Sequence, residues 1–151
     1  MSKEQDAAAC FCDGFSCSQA ILSTYGPRYG LEREQALRLA AGLGGGMGRM
    51  GRACGAVTGA FLVIGLDQGG TSAADKAAKE RTYGSVREFA DRFRERHGST
   101  RCRELLECDV SDPADYARAQ EEGLFKQRCP GFVQSAGELL EELLQKSEES
   151  G

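Results

Sequence analysis

Between Ala53 and Leu66 the chain carries Val57, Phe61, Leu62, Val63 and Ile64 and no charge before Asp67. So apolar a segment has to be buried, and the remaining elements must be arranged to cover it. Phe61 to Ile64 alone would suit a buried strand, because a short apolar run does not discriminate; the length of the whole segment and its glycines favour a helix. Gly55 and Gly59, with Ala56 and Ala60, leave a side-chain-poor strip on that helix. Close packing of a central helix among its neighbours is the expected use of the strip, and cofactor binding at Gly55 and Gly59 is the alternative.

The elements available to cover it read as helices. Tyr83, Val86, Ala90 and Phe93, with Phe89 beside them, step by three and four, as do Phe132, Ala136, Leu139, Leu140, Leu143 and Leu144. A third helix, from about Glu32 to Leu43, puts Ala36, Leu37, Ala40 and Leu43 on one side and stops in the glycines that follow. Asp112-Pro113 reads as an N-cap and first helical position, opening a short helix through Ala114 to about Glu122. Gly26-Pro27, Gly69-Gly70 and Gly98-Ser99 mark turns. With 151 residues and no long linker or internal repeat, the expectation is one all-α domain. Five or six helices would pack as a bundle around the Ala53–Leu66 helix, with a core over about residues 11–145 and an acidic tail at 146–151.

Charge narrows the function. A formal charge of −4 offers no basic surplus for phosphates, so nucleic acid is not the expected partner. The stretch from Asp75 to Arg103 is locally basic and Glu138 to Glu149 mostly acidic, both read as solvated helix faces. No apolar run is long enough to span a membrane, and no export signal precedes Asp13. These readings place the chain in the cytoplasm, where thiols stay reduced.

Seven cysteines are then the unusual feature. An odd number cannot pair completely within one chain, and at this length a hydrophobic core holds the fold without disulfides. Ser16-Cys17-Ser18-Gln19 is a capping box that puts Cys17 in the first turn of a helix. Cys54 follows a glycine-rich loop and begins the apolar helix. Ser99-Thr100 supplies an N-cap just before Cys102, and Cys129, before Pro130, reads as the N-cap of the last helix. Four cysteines therefore stand at expected helix starts, where unpaired N–H groups and the helix dipole favour the thiolate. Arg49 and Arg52 near Cys54, and Arg101 and Arg103 around Cys102, would add to that effect. Spacings of 37, 48 and 27 residues exclude a local zinc ribbon or a Cys-x-x-Cys motif, so a shared site must be assembled by tertiary folding. Cys10, Cys12 and Cys108 are read as packing or surface residues.

The run Gly42-Leu43-Gly44-Gly45-Gly46-Met47-Gly48-Arg49-Met50-Gly51 contains a formal G-x-G-x-x-G, but a helix rather than a strand precedes it and no Gly-Lys-Ser/Thr follows. It is read as a flexible loop whose N–H groups surround the Cys54 sulfur or anything bound to it.

Cys54-Gly55-Ala56-Val57-Thr58-Gly59 resembles the C-G-A-x-x-G signature of the C-GCAxxG-C-C family. Gly14-x-x-Cys17-x-Gln19-Ala20 is similar to that family's N-terminal cysteine motif, Cys102-Arg103-Glu104-Leu105-Leu106 to its third, and Cys129 is placed like its fourth. The resemblance runs from about Phe11 to Leu144. It implies a small helical, redox-active protein of bacteria and archaea, often encoded near transporters. A related domain is similar to part of a multihaem cytochrome in which such cysteines hold an iron–sulfur centre. Covalent c-type haem is excluded here by the lack of Cys-x-x-Cys-His.

The leading expectation is a redox protein, an oxidoreductase or an electron-transfer protein, working through convergence of Cys17, Cys54, Cys102 and Cys129. These thiolates either bind an iron–sulfur cluster or exchange disulfides with an external redox partner, Cys54 attacking and one of the other three resolving. The alternatives are a metal-binding module for Zn²⁺ or Cu(I) on the same sulfurs, and a structural helical adaptor. The small-residue strip and the leucine-rich last helix also allow a homodimer.

Overall fold

The computed structural model describes residues 2–150, with side chains described through Leu144. The expected acidic tail thus falls outside the described side chains. Among the described residues there are eight right-handed α-helices: α1 Lys3–Cys12, α2 Cys17–Tyr25, α3 Arg33–Ala40, α4 Gly55–Gln68, α5 Lys76–His97, α6 Cys102–Leu106, α7 Pro113–Glu121 and α8 Leu124–Ser150. The only extended pairing among them is an isolated antiparallel bridge between Ala53 and Arg101. The fold is all-α as expected, with more helices than five or six. The excess is α1 and the five-residue α6. A Ser2/Gln5 capping box opens α1, the same device that opens α2.

The apolar segment is α4, which packs on α2, α5 and α8. Its small-residue strip lies against α2: a Cβ on Gly59 would come within 3.1 Å of the Ser18 carbonyl and of Ile21 Cβ. Packing is therefore what Gly59 does, and the strip is not free for a second chain. Burial is incomplete on the far side, where Leu62 and Leu66 are 39% and 40% exposed. Leu139, Leu140, Leu143 and Leu144 of α8 are likewise buried within the chain. Phe89 and Phe93 of α5 are fully buried and stack at 6.2 Å, while Tyr83, expected on the same face, is half exposed.

Three local expectations are corrected. The third helix ends at Ala40 and continues as a 3₁₀ turn over Ala41–Leu43. Cys129 does not cap the last helix; α8 starts at Leu124, after Gly123 at φ +69°, and carries Pro130 inside it. Pro lacks the N–H that would bond the carbonyl four residues back, and α8 passes through it. Ser99 does not cap α6: Arg101 holds that position, while Ser99 Oγ accepts from the Arg101 N–H at 3.0 Å and donates to Glu104 at 2.6 Å. Asp112 caps α7 as expected, accepting from the Asp115 N–H at 3.1 Å. The basic stretch and the acidic one are partly each other's partners, through Arg92–Glu142 at 2.9 Å and Arg96–Glu138 at 3.3 Å.

Candidate thiol site

Two helix starts are tied together by backbone. The Cys54 N–H donates to the Thr100 carbonyl at 2.8 Å, the Cys102 N–H to Arg52 at 2.6 Å and the Arg103 N–H to Gly51 at 3.2 Å. Together with the Ala53–Arg101 bridge, these bonds hold the N-cap of α4 beside the first residue of α6. Cys17, first residue of α2, is brought to Cys54 by Gly55. A Cβ there would sit 2.9 Å from the Ser18 nitrogen and 3.2 Å from Cys17 Cβ, so only glycine lets α2 and α4 meet this closely. Cys129 reaches the same place from within α8.

The glycine run is neither flexible nor a dinucleotide loop. Gly45, Gly46, Met47, Gly48 and Arg49 all have φ between +59° and +68°, one turn of left-handed helix. Gly48 and Arg49 N–H groups bond the Gly44 carbonyl, and the turn is closed by Gly51 to Gly45 at 3.2 Å and Arg52 to Gly46 at 3.0 Å. L-residues resist this conformation by roughly 1–2 kcal/mol each, which explains the glycines and makes Met47 and Arg49 strained. Gly46 has a second reason: its Cβ would lie 2.6 Å from the Arg52 nitrogen and 2.8 Å from Cys102 Cβ.

Cys17, Cys54, Cys102 and Cys129 all line one open cavity of about 1140 Å³, with Gly44–Gly46, Gly55, Arg49, Tyr116, Phe125 and Lys126 around them. Gly59 does not line it. The seven cysteines are unpaired. Cys17 is partly exposed as a residue, but its thiol is withdrawn from water and interacts electrostatically with the neighbouring Cys129 and Cys54 thiols. That interaction, reinforced by burial, raises its pKa well above the ordinary thiol range. The same contact works in the opposite sense on Cys54. Its pKa is lowered, first by Cys17 and then, against the cost of burial, by the backbone N–H groups of Ala56 and Val57. No side-chain capping hydrogen bond is made by Cys54, and the Val57 N–H itself donates to the Cys54 carbonyl at 2.9 Å. We therefore read the N–H contribution as the field of the helix start rather than direct bonds.

The expected lowering is found at Cys54 and reversed at Cys17. Cys102 also starts a helix, but burial, then the neighbouring Cys54 and Cys129, push it up to about 12. A five-residue helix has too little dipole to offset desolvation. The arginines contribute less than expected. Arg103 lowers Cys102 only as the weakest influence and pairs with Asp109 at 3.3 Å. Arg49 turns to Tyr116, its guanidinium 4.1 Å from the ring centroid.

Cys10 stands 3.7 Å from Ser23 Oγ, and the buried Cys108 donates to the Asp115 carbonyl at 3.6 Å; neither lines the cavity. Exposed Cys12 does line it, at the end of α1. The Ser2/Gln5 capping box is the sequence signal that would have aimed α1 there. Nothing in the pattern marks Tyr116, Phe125 or Lys126, which reach the cavity through tertiary packing.

All-thiol donors suit a soft metal or an iron–sulfur cluster in kind. Among the described residues, however, no three His, Cys, Asp or Glu side chains are placed to hold one metal ion. No helix among the described residues is long and apolar enough to cross a membrane.

Fold and site define a small all-α protein with a cysteine-lined cavity at the meeting of its helix starts. The chain belongs to the family described as "Putative redox-active protein (C_GCAxxG_C_C)", whose model matches residues 15–143. No curated protein and no solved structure matches it at a significant level.

Proposed function

We propose that this is a cytoplasmic thiol–disulfide redox protein in which Cys54 is the attacking thiolate and Cys17 the resolving thiol. The observation that carries the reading is that Cys17 and Cys54 line one cavity at helix starts brought together by Gly55; the Cys17 pKa is raised and the Cys54 pKa lowered, in the same direction as these roles. A thiolate is the nucleophile in exchange, and a neighbouring protonated thiol is its reserve. Cys54 attacks one sulfur of an external disulfide R–S–S–R; the S–S bond breaks and RS⁻ leaves with the bonding pair. Cys17 gives its proton to that departing thiolate and attacks the Cys54 sulfur, releasing the second RS⁻, which takes a proton from water. One disulfide is reduced to two thiols and the Cys17–Cys54 pair is oxidised. Cys102 and Cys129 complete the sulfur wall.

The test is peptide mapping after oxidation of the anaerobically purified, reduced chain by a small disulfide, with free thiols blocked by alkylation. A Cys17–Cys54 linkage is expected in the wild type, and a mixed disulfide held at Cys54 in Cys17→Ser. Loss of all adducts is expected in Cys54→Ser. Stoichiometric iron and acid-labile sulfide, with no adduct formed at Cys54, would replace this reading by the cluster one.

A further inference from the structure

The cavity is larger than four sulfurs need and has a definite charge. At about 1140 Å³ it is at the upper end of small-molecule sites. Among the described residues its only charged lining residues are Arg49 and Lys126, both cations, in a chain whose net charge is −4. Asp13, between the lining residues Cys12 and Gly14, is not among them. Arg28, Arg92, Arg94, Arg96, Arg103, Arg118 and Arg128 are matched to carboxylates, whereas Arg52, Arg81 and Arg101, outside the cavity lining, are in no ion pair among the described residues. Arg49 and Lys126 have no ion-pair partner among the described residues.

Arg49 is also held in place. Its backbone belongs to the left-handed turn at φ +63°, and its guanidinium sits on the Tyr116 ring, which packs against Phe125 at 5.4 Å and accepts from Gln120 Nε2 at 3.0 Å. An aromatic-backed guanidinium keeps its in-plane N–H donors free for an anion. A third cation, Arg33, lies 5.4 Å over the ring of Phe15, another lining residue.

We propose that the cavity admits small organic anions, and that the disulfide reduced or formed at Cys54 is a carboxylate-bearing low-molecular-weight one, bound through Arg49 and Lys126. This rests on the thiol-exchange reading for its chemistry, while the charge preference of the cavity stands without it. Whole-protein charge would repel such a substrate, so a preference for anions has to come from the cavity.

The experiment compares three disulfides of similar size with the reduced full chain: 3,3′-dithiodipropionate (anionic), 2-hydroxyethyl disulfide (neutral) and cystamine (cationic). Rates of thiol loss are measured for wild type, Lys126→Gln and the Arg49→Gln/Lys126→Gln double variant. The ratio of wild-type to variant rate cancels each disulfide's intrinsic reactivity. Removing both cations should slow the anionic disulfide by about tenfold at low salt, leave the neutral one within about twofold and speed the cationic one. Lys126→Gln alone should shift the rates the same way by less, and 1 M salt should erase the difference. Equal ratios for all three disulfides would overturn the proposal, as would oxidation by a protein disulfide but by none of the three. The non-reacting thioether 3,3′-thiodipropionate separates the two failures. If it binds wild type and not the double variant by calorimetry while no disulfide reacts, the anion site stands and the exchange chemistry falls. If it does not bind, the anion site falls even where exchange proceeds.

Discussion

Two apolar clusters among the described residues are built on different principles. The larger joins α2, α4, α5 and α8 through Ile21, Leu22, Val63, Ile64, Phe89, Phe93, Leu139 and Leu140. The smaller holds Cys102, Leu106, Cys108, Val110, Ala119 and Cys129 around the short helices. The first is periodic side-chain packing between helices. The second is half sulfur by residue, and it is positioned by backbone ties and a left-handed turn. The sulfurs lie on the seam: Cys54 belongs to the larger cluster, Cys102 and Cys129 to the smaller, and Cys17 touches both. A scaffold of dense packing thus presents one wall of the site, and a strained, open element presents the other.

The largest difference should come from cutting a leucine in each cluster. Leu140 is fully buried, whereas Leu106 is buried but borders the cavity. Leu140→Ala should cost about 4 kcal/mol of unfolding free energy and Leu106→Ala about 2, since the latter opens little new void. Equal losses in urea denaturation would mean that the smaller cluster is packed as tightly as the larger.

One glycine-to-alanine change made in both regions should then have opposite signs. Gly84 lies inside α5 with nothing within 4 Å of an added Cβ, whereas Gly46 has φ +66° and meets the Arg52 backbone at 2.6 Å. Gly84→Ala should stabilise by roughly 0.5–1 kcal/mol. Gly46→Ala should destabilise by about 3 kcal/mol, through left-handed strain and overpacking. Thermal melts of the two variants on either side of wild type would confirm the contrast, and a Gly46→Ala melt at or above wild type would refute it.

Alkaline pH should weaken the sulfur side selectively. Cys102 titrates at about 12 in the fold against 9.0 for a free thiol. Between these values the unfolded chain has lost a proton that the native chain retains. Stability therefore falls as pH rises, by about 1.4 kcal/mol per pH unit from this thiol. Cys17 acts in the same direction and Cys54 in the opposite one, since a lowered thiol pKa adds stability as pH rises. Urea midpoints measured from pH 8 to 10.5 should decline less steeply in Cys102→Ser. An unchanged slope would show that burial of Cys102 does not govern this titration.

Legibility from the sequence follows the same division. The larger cluster was readable because Phe89, Phe93, Leu139, Leu140, Leu143 and Leu144 repeat at helical spacing, and burial follows that period. Along the seam between the two clusters the starts of α2, α4 and α6 were readable from Ser16, the apolar run and the Leu105-Leu106 turn. The end carrying Cys129 was not, because Pro130 looks like a first helical residue and is an interior one. Thiol ionisation was misjudged for a related reason: a helix start is visible in sequence, but the burial that reverses its effect at Cys102 arises only on folding. The glycine run was recognised as special, yet no sequence rule told a mobile loop from a mirror-handed turn.

That turn carries a consequence about chirality. At Gly45, Gly46 and Gly48 the backbone favours the geometry of a D-amino acid, which ribosomal synthesis does not provide. D-Alanine introduced by chemical ligation at Gly48, where φ is +59°, would match that preference for positive φ. Met47 and Arg49 occupy the same turn as L-residues at φ +68° and +63°, so its strain is concentrated at those two positions.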